Sequence, residues 1–265
     1  MPEGDTLHRT AHTLQHVLAS QRLVRVRSSV PAIAGAELAG HVVEKVSALG
    51  KNLLIFFDDG RVLHTHLRMQ GSWHVYRPGE RFQRPEHQIR VVLEVADALA
   101  VCFSAPTVRL LAPNAFEKDP YLNGLGPDLI LDEFDLAQAT DGLLALADLP
   151  LGEAVMTQNA VAGIGNIWKS ETLFVCRLNP FALVATVTRE QVVSFLETAR
   201  RSLRDSVAAK EATGSVEGGH GRFWVYDRSG RPCRKCGTAI AMKRQGAQQR
   251  STYFCARCQG VQSSP

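Results

Sequence analysis

The stretch Asn52-Leu53-Leu54-Ile55-Phe56-Phe57-Asp58-Asp59-Gly60-Arg61-Val62-Leu63-His64-Thr65-His66 holds two short apolar runs around a turn signal. Asp-Gly at the junction favours a hairpin, because glycine reaches the backbone angles that a tight reversal needs. Working outward, comparable runs occupy residues 23–30, 42–48, 71–76, 88–95, 99–103 and 108–111. With 52–57 and 61–66 these are eight short strands, the pattern of an antiparallel sandwich or barrel. Ahead of them Leu7, Ala11, Leu14 and Leu18 recur at helical spacing, which predicts one helix before the sheets. The Pro- and Gly-bearing residues 113–127 read as a linker.

Beyond Asp132 the period becomes helical, over 134–146, 151–158 and, after the glycine-containing turn 161–165, over 166–174. Thr188 and Gln191 have the spacing of a capping box that opens a last helix, with Val192, Leu196, Ala199, Leu203 and Val207 on one face. Residues 213–221 contain four glycines and are expected to form a mobile loop. The fold class predicted is α+β, in three parts: 1–125, 126–221 and 222–265.

The chain has 265 residues, 45% hydrophobic and 21% charged, enough for a real core and too apolar for disorder. No long uncharged apolar run offers a membrane span. The start MPEGDTLHRT lacks the apolar region of a secretory signal, so a cytoplasmic, monomeric protein is expected. Six cysteines without a signal argue against a disulfide framework. Cys102 and Cys176 sit alone in apolar runs and read as buried structural thiols.

The other four are Cys233-x2-Cys236 and Cys255-x2-Cys258, eighteen residues apart. Two such turns supply four thiolates in a tetrahedron, which suits one structural zinc and leaves no open coordination position; a rubredoxin-like iron site or chance spacing is the alternative. Residues 222–265 carry nine basic groups and one acidic, a charge of +8, so the net +4 of the chain hides −4 in residues 1–221. A metal-stapled hairpin of that charge density is a phosphate-binding element.

Pro2 follows Met1, and removal of Met1 would leave a secondary amine ahead of a helix. An α-amino group titrates at about 7.7–8.0, and the positive end of the helix dipole favours its neutral form. Such an amine can attack a sugar carbon and continue as an iminium.

The start Met1-Pro2-Glu3-Gly4, the segments Gly50-Lys51-Asn52-Leu53-Leu54, His66-Leu67-Arg68-Met69 and Ala162-Gly163-Ile164-Gly165-Asn166-Ile167, and the paired cysteines occur in that order. Together they resemble the formamidopyrimidine-DNA glycosylase/endonuclease VIII family, over nearly the whole chain. The resemblance implies an N-terminal helix with an antiparallel β-sandwich, a helix–two-turn–helix domain and a zinc-finger β-hairpin. It implies a bifunctional base-excision glycosylase/AP lyase acting on double-stranded DNA with damaged bases or abasic sites. In that frame Pro2 is the nucleophile, Glu3 moves protons and Lys51 holds a phosphate. His66, Arg68, Asn166 and Arg250 contact the DNA backbone, and Met69 fills the gap left by the flipped nucleotide. A surface lysine at a strand end is the plain alternative for Lys51, a core methionine for Met69, a helix cap for Asn166, and a packed ring for Tyr226, which otherwise lines the base pocket. Two departures matter. The family often has Glu where this chain has Thr6, and residues 105–110 lack the Arg-Arg-Phe-Gly-like loop typical of enzymes for oxidised guanine. The endonuclease VIII branch and oxidised pyrimidines are therefore expected. The alternatives are 8-oxoguanine and formamidopyrimidines, or a non-catalytic zinc-containing damage-binding protein.

Overall fold

The computed structural model describes residues 2–213 and 223–261. The chain divides into two compact units, Met1–Gly124 and Leu125–Pro265. The glycine-rich stretch expected to be a mobile loop lies outside the described residues from 214 to 222.

In the first unit α1 (Gly4–Leu18) buries Leu7, Ala11, Leu14 and Leu18, the stripe that helical spacing demands. Burying each of its leucines stabilises the fold by roughly 1.5–3 kcal/mol. After it come β1 (Arg25–Ser28), the short α2 (Pro31–Ala34), β2 (Val43–Leu49), β3 (Asn52–Phe57) and β4 (Val62–His66). Then follow β5 (Ser72–Tyr76), β6 (Ile89–Glu94), β7 (Leu99–Phe103) and β8 (Thr107–Leu111). The strands pair antiparallel in two four-stranded sheets, β1-β6-β7-β5 and β2-β3-β4-β8, so the sandwich is realised and the barrel is not. Leu53, Ile55 and Leu63 of one sheet meet Val91, Leu93 and Cys102 of the other in a core that the α1 stripe completes.

The other face of the β2-β3-β4-β8 sheet is covered by the residues read as a linker. Phe116 meets Phe56 edge-on with centroids 5.4 Å apart, and Tyr121 stacks on His64 at 6.3 Å. Arg109 Nη2 donates to Asp119 Oδ2 at 2.6 Å. Asp119 also caps α3 (Pro120–Asn123), accepting from the N–H groups of Tyr121 and Leu122, a capping role worth about 1 kcal/mol. Burial pulls the Asp119 carboxyl up, but these donors and the guanidinium prevail and hold it below the usual carboxylate range. Residues 113–123 are thus a folded strap. Its turns are too short for a periodic signal, and its order comes from tertiary contacts.

The second unit contains α4 (Leu136–Leu144), α5 (Leu151–Ala154), α6 (Asn166–Val175), α7 (Arg189–Thr213) and the hairpin of β9 (Ala241–Gln245) with β10 (Arg250–Phe254). The α7 capping box forms reciprocally: Gln191 N–H donates to Thr188 Oγ1 and Thr188 N–H to Gln191 Oε1. Val192, Phe195, Leu196, Ala199 and Leu203 join Leu143, Leu151 and Leu173 in one core. The helix expected over 151–158 stops at Ala154, and the Gln158 side chain turns back to the carbonyls of Met156 and Ile164. Cys102 is buried and its thiol is pushed up by desolvation. Cys176, expected buried, is only half-buried at the C-cap of α6. Among the described residues no helix is long and apolar enough to cross a membrane.

Candidate active site and nucleic-acid interface

In the first unit Glu3 is the N-cap of α1, with extended backbone and 1% exposure, and its side chain makes no capping hydrogen bond. Pro2, just before it, is half-buried. Asp5 ion-pairs with Arg9 at 2.9 Å, one turn along the helix, and Arg9 also donates to Thr6 Oγ1. The helix runs antiparallel to β2, as Ser20 N–H reaches Val43 O and Val46 N–H reaches Gln15 Oε1. Its amino end therefore points toward the turn that closes β2 on β3. That turn is Gly50-Lys51, between the paired residues Leu49 and Asn52, and Gly50 has φ 58°. Glycine at the first of two turn residues is what such a hairpin requires, and it leaves Lys51 at the tip.

At the same end of the sheet β4 finishes at His66, which pairs with Asn52. Burial, then the charges of Arg68 and Lys51, lower the His66 pKa to about 4, so the ring is neutral near pH 7. Arg68 N–H donates to His66 Nδ1, which assigns the ring proton to Nε2 and makes that atom a donor. Arg68 has φ 47°, and Gly71 N–H closes the turn onto Leu67 O at 2.9 Å. A Cβ on Gly71 would lie 2.6 Å from that oxygen, so the turn admits only glycine there. Met69 rides this turn at 68% exposure, so it is not a core methionine. The link from β7 to β8 is just Ser104-Ala105-Pro106, and residues 107–110 of the stretch compared above are already strand.

In the second unit Gly163 has φ 104°, and its N–H donates to Gln158 Oε1. Asn166 is the first residue of α6, but Gly165 is the N-cap and no side chain caps the helix, so the capping alternative fails. Asn166 Nδ2 instead donates to Ser251 O at 2.7 Å and Ser251 Oγ at 3.1 Å. Behind it lies Lys169, 1% exposed, with Nζ donating to Asn166 Oδ1 (2.7 Å), Thr252 Oγ1 (2.8 Å) and Ser251 O (3.3 Å). Sequence reasoning missed Lys169, since a lone lysine in a helix reads as a solvated residue. Glu171 was missed too: its buried carboxylate accepts from the N–H groups of Trp224, Val225 and Tyr226 at 2.7–2.9 Å. Burial raises its pKa against those three donors. Tyr226 packs edge-on to Tyr253 and Phe223. Arg250, at the start of β10, is held through Nε and Nη2 by Gln248 Oε1.

The four cysteine sulfurs lie within 4.8 Å of one another, with Cys233–Cys258 at 3.9 Å and Cys236–Cys255 at 3.5 Å. A tetrahedron with Zn–S of about 2.3 Å needs S···S of about 3.8 Å, so the donor set fits one structural zinc. Desolvation and the neighbouring sulfurs push the Cys258 thiol up to about 12, while contacts to Thr238 lower Cys236 to about 6. A bound cation is what allows all four to be thiolates together.

A helix-backed sandwich, a helix–two-turn–helix unit and a four-cysteine finger define the class of base-excision DNA glycosylases with abasic-site lyase activity. Three family models match in order: the formamidopyrimidine-DNA glycosylase N-terminal domain over residues 1–107, its H2TH domain over 125–217, and the zinc finger found in FPG and IleRS over 230–261. The chain belongs to the formamidopyrimidine-DNA glycosylase/endonuclease VIII family. It is 37% identical to the probable endonuclease 8 2 of Streptomyces coelicolor, over 98% of this chain and 94% of that protein. It is 36% identical to the DNA-(apurinic or apyrimidinic site) lyase Nei2 of Mycolicibacterium smegmatis, over 98% and 99%. The fold matches a crystal structure of Lactococcus lactis formamidopyrimidine-DNA glycosylase bound non-covalently to AP-site DNA. The TM-score is 0.83 at 19% identity, covering 97% of this chain and 99% of that one.

Proposed function

We propose that this protein removes oxidised pyrimidines from double-stranded DNA and cleaves the abasic strand, with Pro2 as nucleophile. The observation that carries the reading is the grouping at one end of the first unit's sheet: the Gly50-Lys51 turn, toward which the amino end of α1 points, and the turn that exposes Met69. After loss of Met1, the Pro2 nitrogen attacks C1′ and the base departs with a proton. Glu3, held in a buried N-cap position, donates to the opening sugar ring. The iminium acidifies the C2′ proton, and β- then δ-elimination release the flanking phosphates. Lys51 and the neutral Nε2–H of His66 bind backbone phosphates, as do Arg68 and Arg250. At Asn166 the side-chain amide is committed to Ser251, so its contribution is the backbone N–H at the start of α6. Met69 occupies the space of the extruded nucleotide.

Preference for pyrimidines is supported by the three-residue β7–β8 link, which leaves little chain for a second wedge. The enzyme works as a monomer in the cytoplasm, in three parts, 1–125, 126–221 and 222–265. Single-turnover rates on duplexes containing either an oxidised pyrimidine or 8-oxoguanine test the preference. The pyrimidine duplex is expected to react about tenfold faster or more; the reverse order would assign the oxidised-purine substrate.

A further inference from the structure

The Gly50-Lys51 turn is held by more than its ladder bonds. Asn52, 0% exposed, donates Nδ2–H across the turn to the Leu49 carbonyl at 3.1 Å, and its Oδ1 meets His64 Nε2 at 2.9 Å. A carbonyl only accepts, so the Leu49 contact fixes which way the Asn52 amide faces. Oδ1 is then an acceptor, and His64 must carry its proton on Nε2. The other ring nitrogen, Nδ1, is left buried with no hydrogen-bond partner. His64 is 1% exposed, lies against the Tyr121 ring of the strap, and is kept neutral by burial and the nearby Arg109 charge.

An apolar pair would fill this place without an orphaned acceptor, so stability alone does not account for the choice. What the polar pair supplies is geometry. Asn52 ties both sides of a two-residue turn together, and His64, on the next strand, fixes the rotamer of Asn52. We propose that Asn52 and His64 are positioning residues that hold the tip of the β2–β3 hairpin so that Lys51 meets its phosphate in one orientation. The inference rests on the reading of Lys51 as a phosphate ligand.

The test is binding of the full-length, zinc-loaded protein to a duplex with a tetrahydrofuran abasic analogue, measured across a salt series. Lys51→Gln is expected to weaken binding and reduce the salt slope by about 0.9. Asn52→Leu is expected to weaken binding about three- to tenfold, reduce the slope in the same sense, and add nothing in the Lys51→Gln background. His64→Leu, which removes the donor from a neighbouring strand, should reproduce Asn52→Leu, whereas His64→Gln, which keeps one, should bind as wild type. A merely structural role predicts the opposite pattern: additive losses with an unchanged slope. Additivity, or wild-type binding by both Asn52→Leu and His64→Leu, overturns the positioning role while leaving Lys51 in place. Wild-type binding by Lys51→Gln overturns the phosphate reading, and the positioning role with it.

Discussion

The two glycine-led turns of this protein are built on opposite plans. In the first unit, Gly50-Lys51 closes a hairpin inside a sheet whose core is apolar, and its polar support is local: Asn52 and His64 lie on that hairpin and the next strand. In the second, the turn ending at Gly165 starts a helix tied to a hairpin more than eighty residues away in sequence, Asn166 through Ser251 and Lys169 through Thr252. That hairpin is stapled by four cysteines. The first turn is therefore stable wherever the sandwich is folded, while the second depends on a metal and on one buried lysine.

The sharpest way to break this contrast is to remove the metal. Cys236→Ser, or chelation, should unfold the finger, since structural zinc contributes an apparent ~10–16 kcal/mol to such modules at pH 7. Loss of DNA binding with an intact near-UV signal from the sandwich is expected; simultaneous melting of both units would erase the contrast. Next in size is Lys169→Ala. It leaves the Asn166 and Thr252 oxygens short of a donor, at about 1–3 kcal/mol for each buried group left unsatisfied. Thermal denaturation should show that loss in the second unit's transition alone. Arg250→Ala is smaller and concerns binding rather than folding: weaker affinity for any abasic duplex and a salt slope lower by about one.

A separate effect, read against pH rather than by a change in the chain, is the pH dependence of the first unit. His64 and His66 have folded pKa values of about 4 against an ordinary 6.5, so between those values the unfolded chain binds more protons than the folded one. Stability is then complete above about pH 6.5 and falls as pH drops toward 4. His64→Gln should flatten the midpoint-against-pH curve of that unit over this window.

What could be read in advance followed the physics of local pattern. Strands β3 and β7 begin and end where their apolar runs do, and the α7 capping box needs only residues three apart. The strap escaped because Asp119 caps a four-residue turn that has no period, and its partner Arg109 belongs to a strand. Lys169 and Glu171 escaped for a related reason. Their partners, Thr252 and the N–H groups of residues 224–226, come together only through tertiary packing. The four cysteines were legible because a metal site writes its geometry into the spacing. Pro2, Lys51 and Met69 were singled out through resemblance, and composition alone would have passed over each of them.

Whether Pro2 is the nucleophile is tested most directly by one measurement. The protein is incubated with a duplex containing an abasic site, trapped with borohydride, digested with trypsin and mapped by mass spectrometry. The sugar adduct is expected on the peptide of residues 2–9, attached at the Pro2 nitrogen. An adduct on a lysine elsewhere, or a chain that retains Met1 and still traps fully, would contradict it.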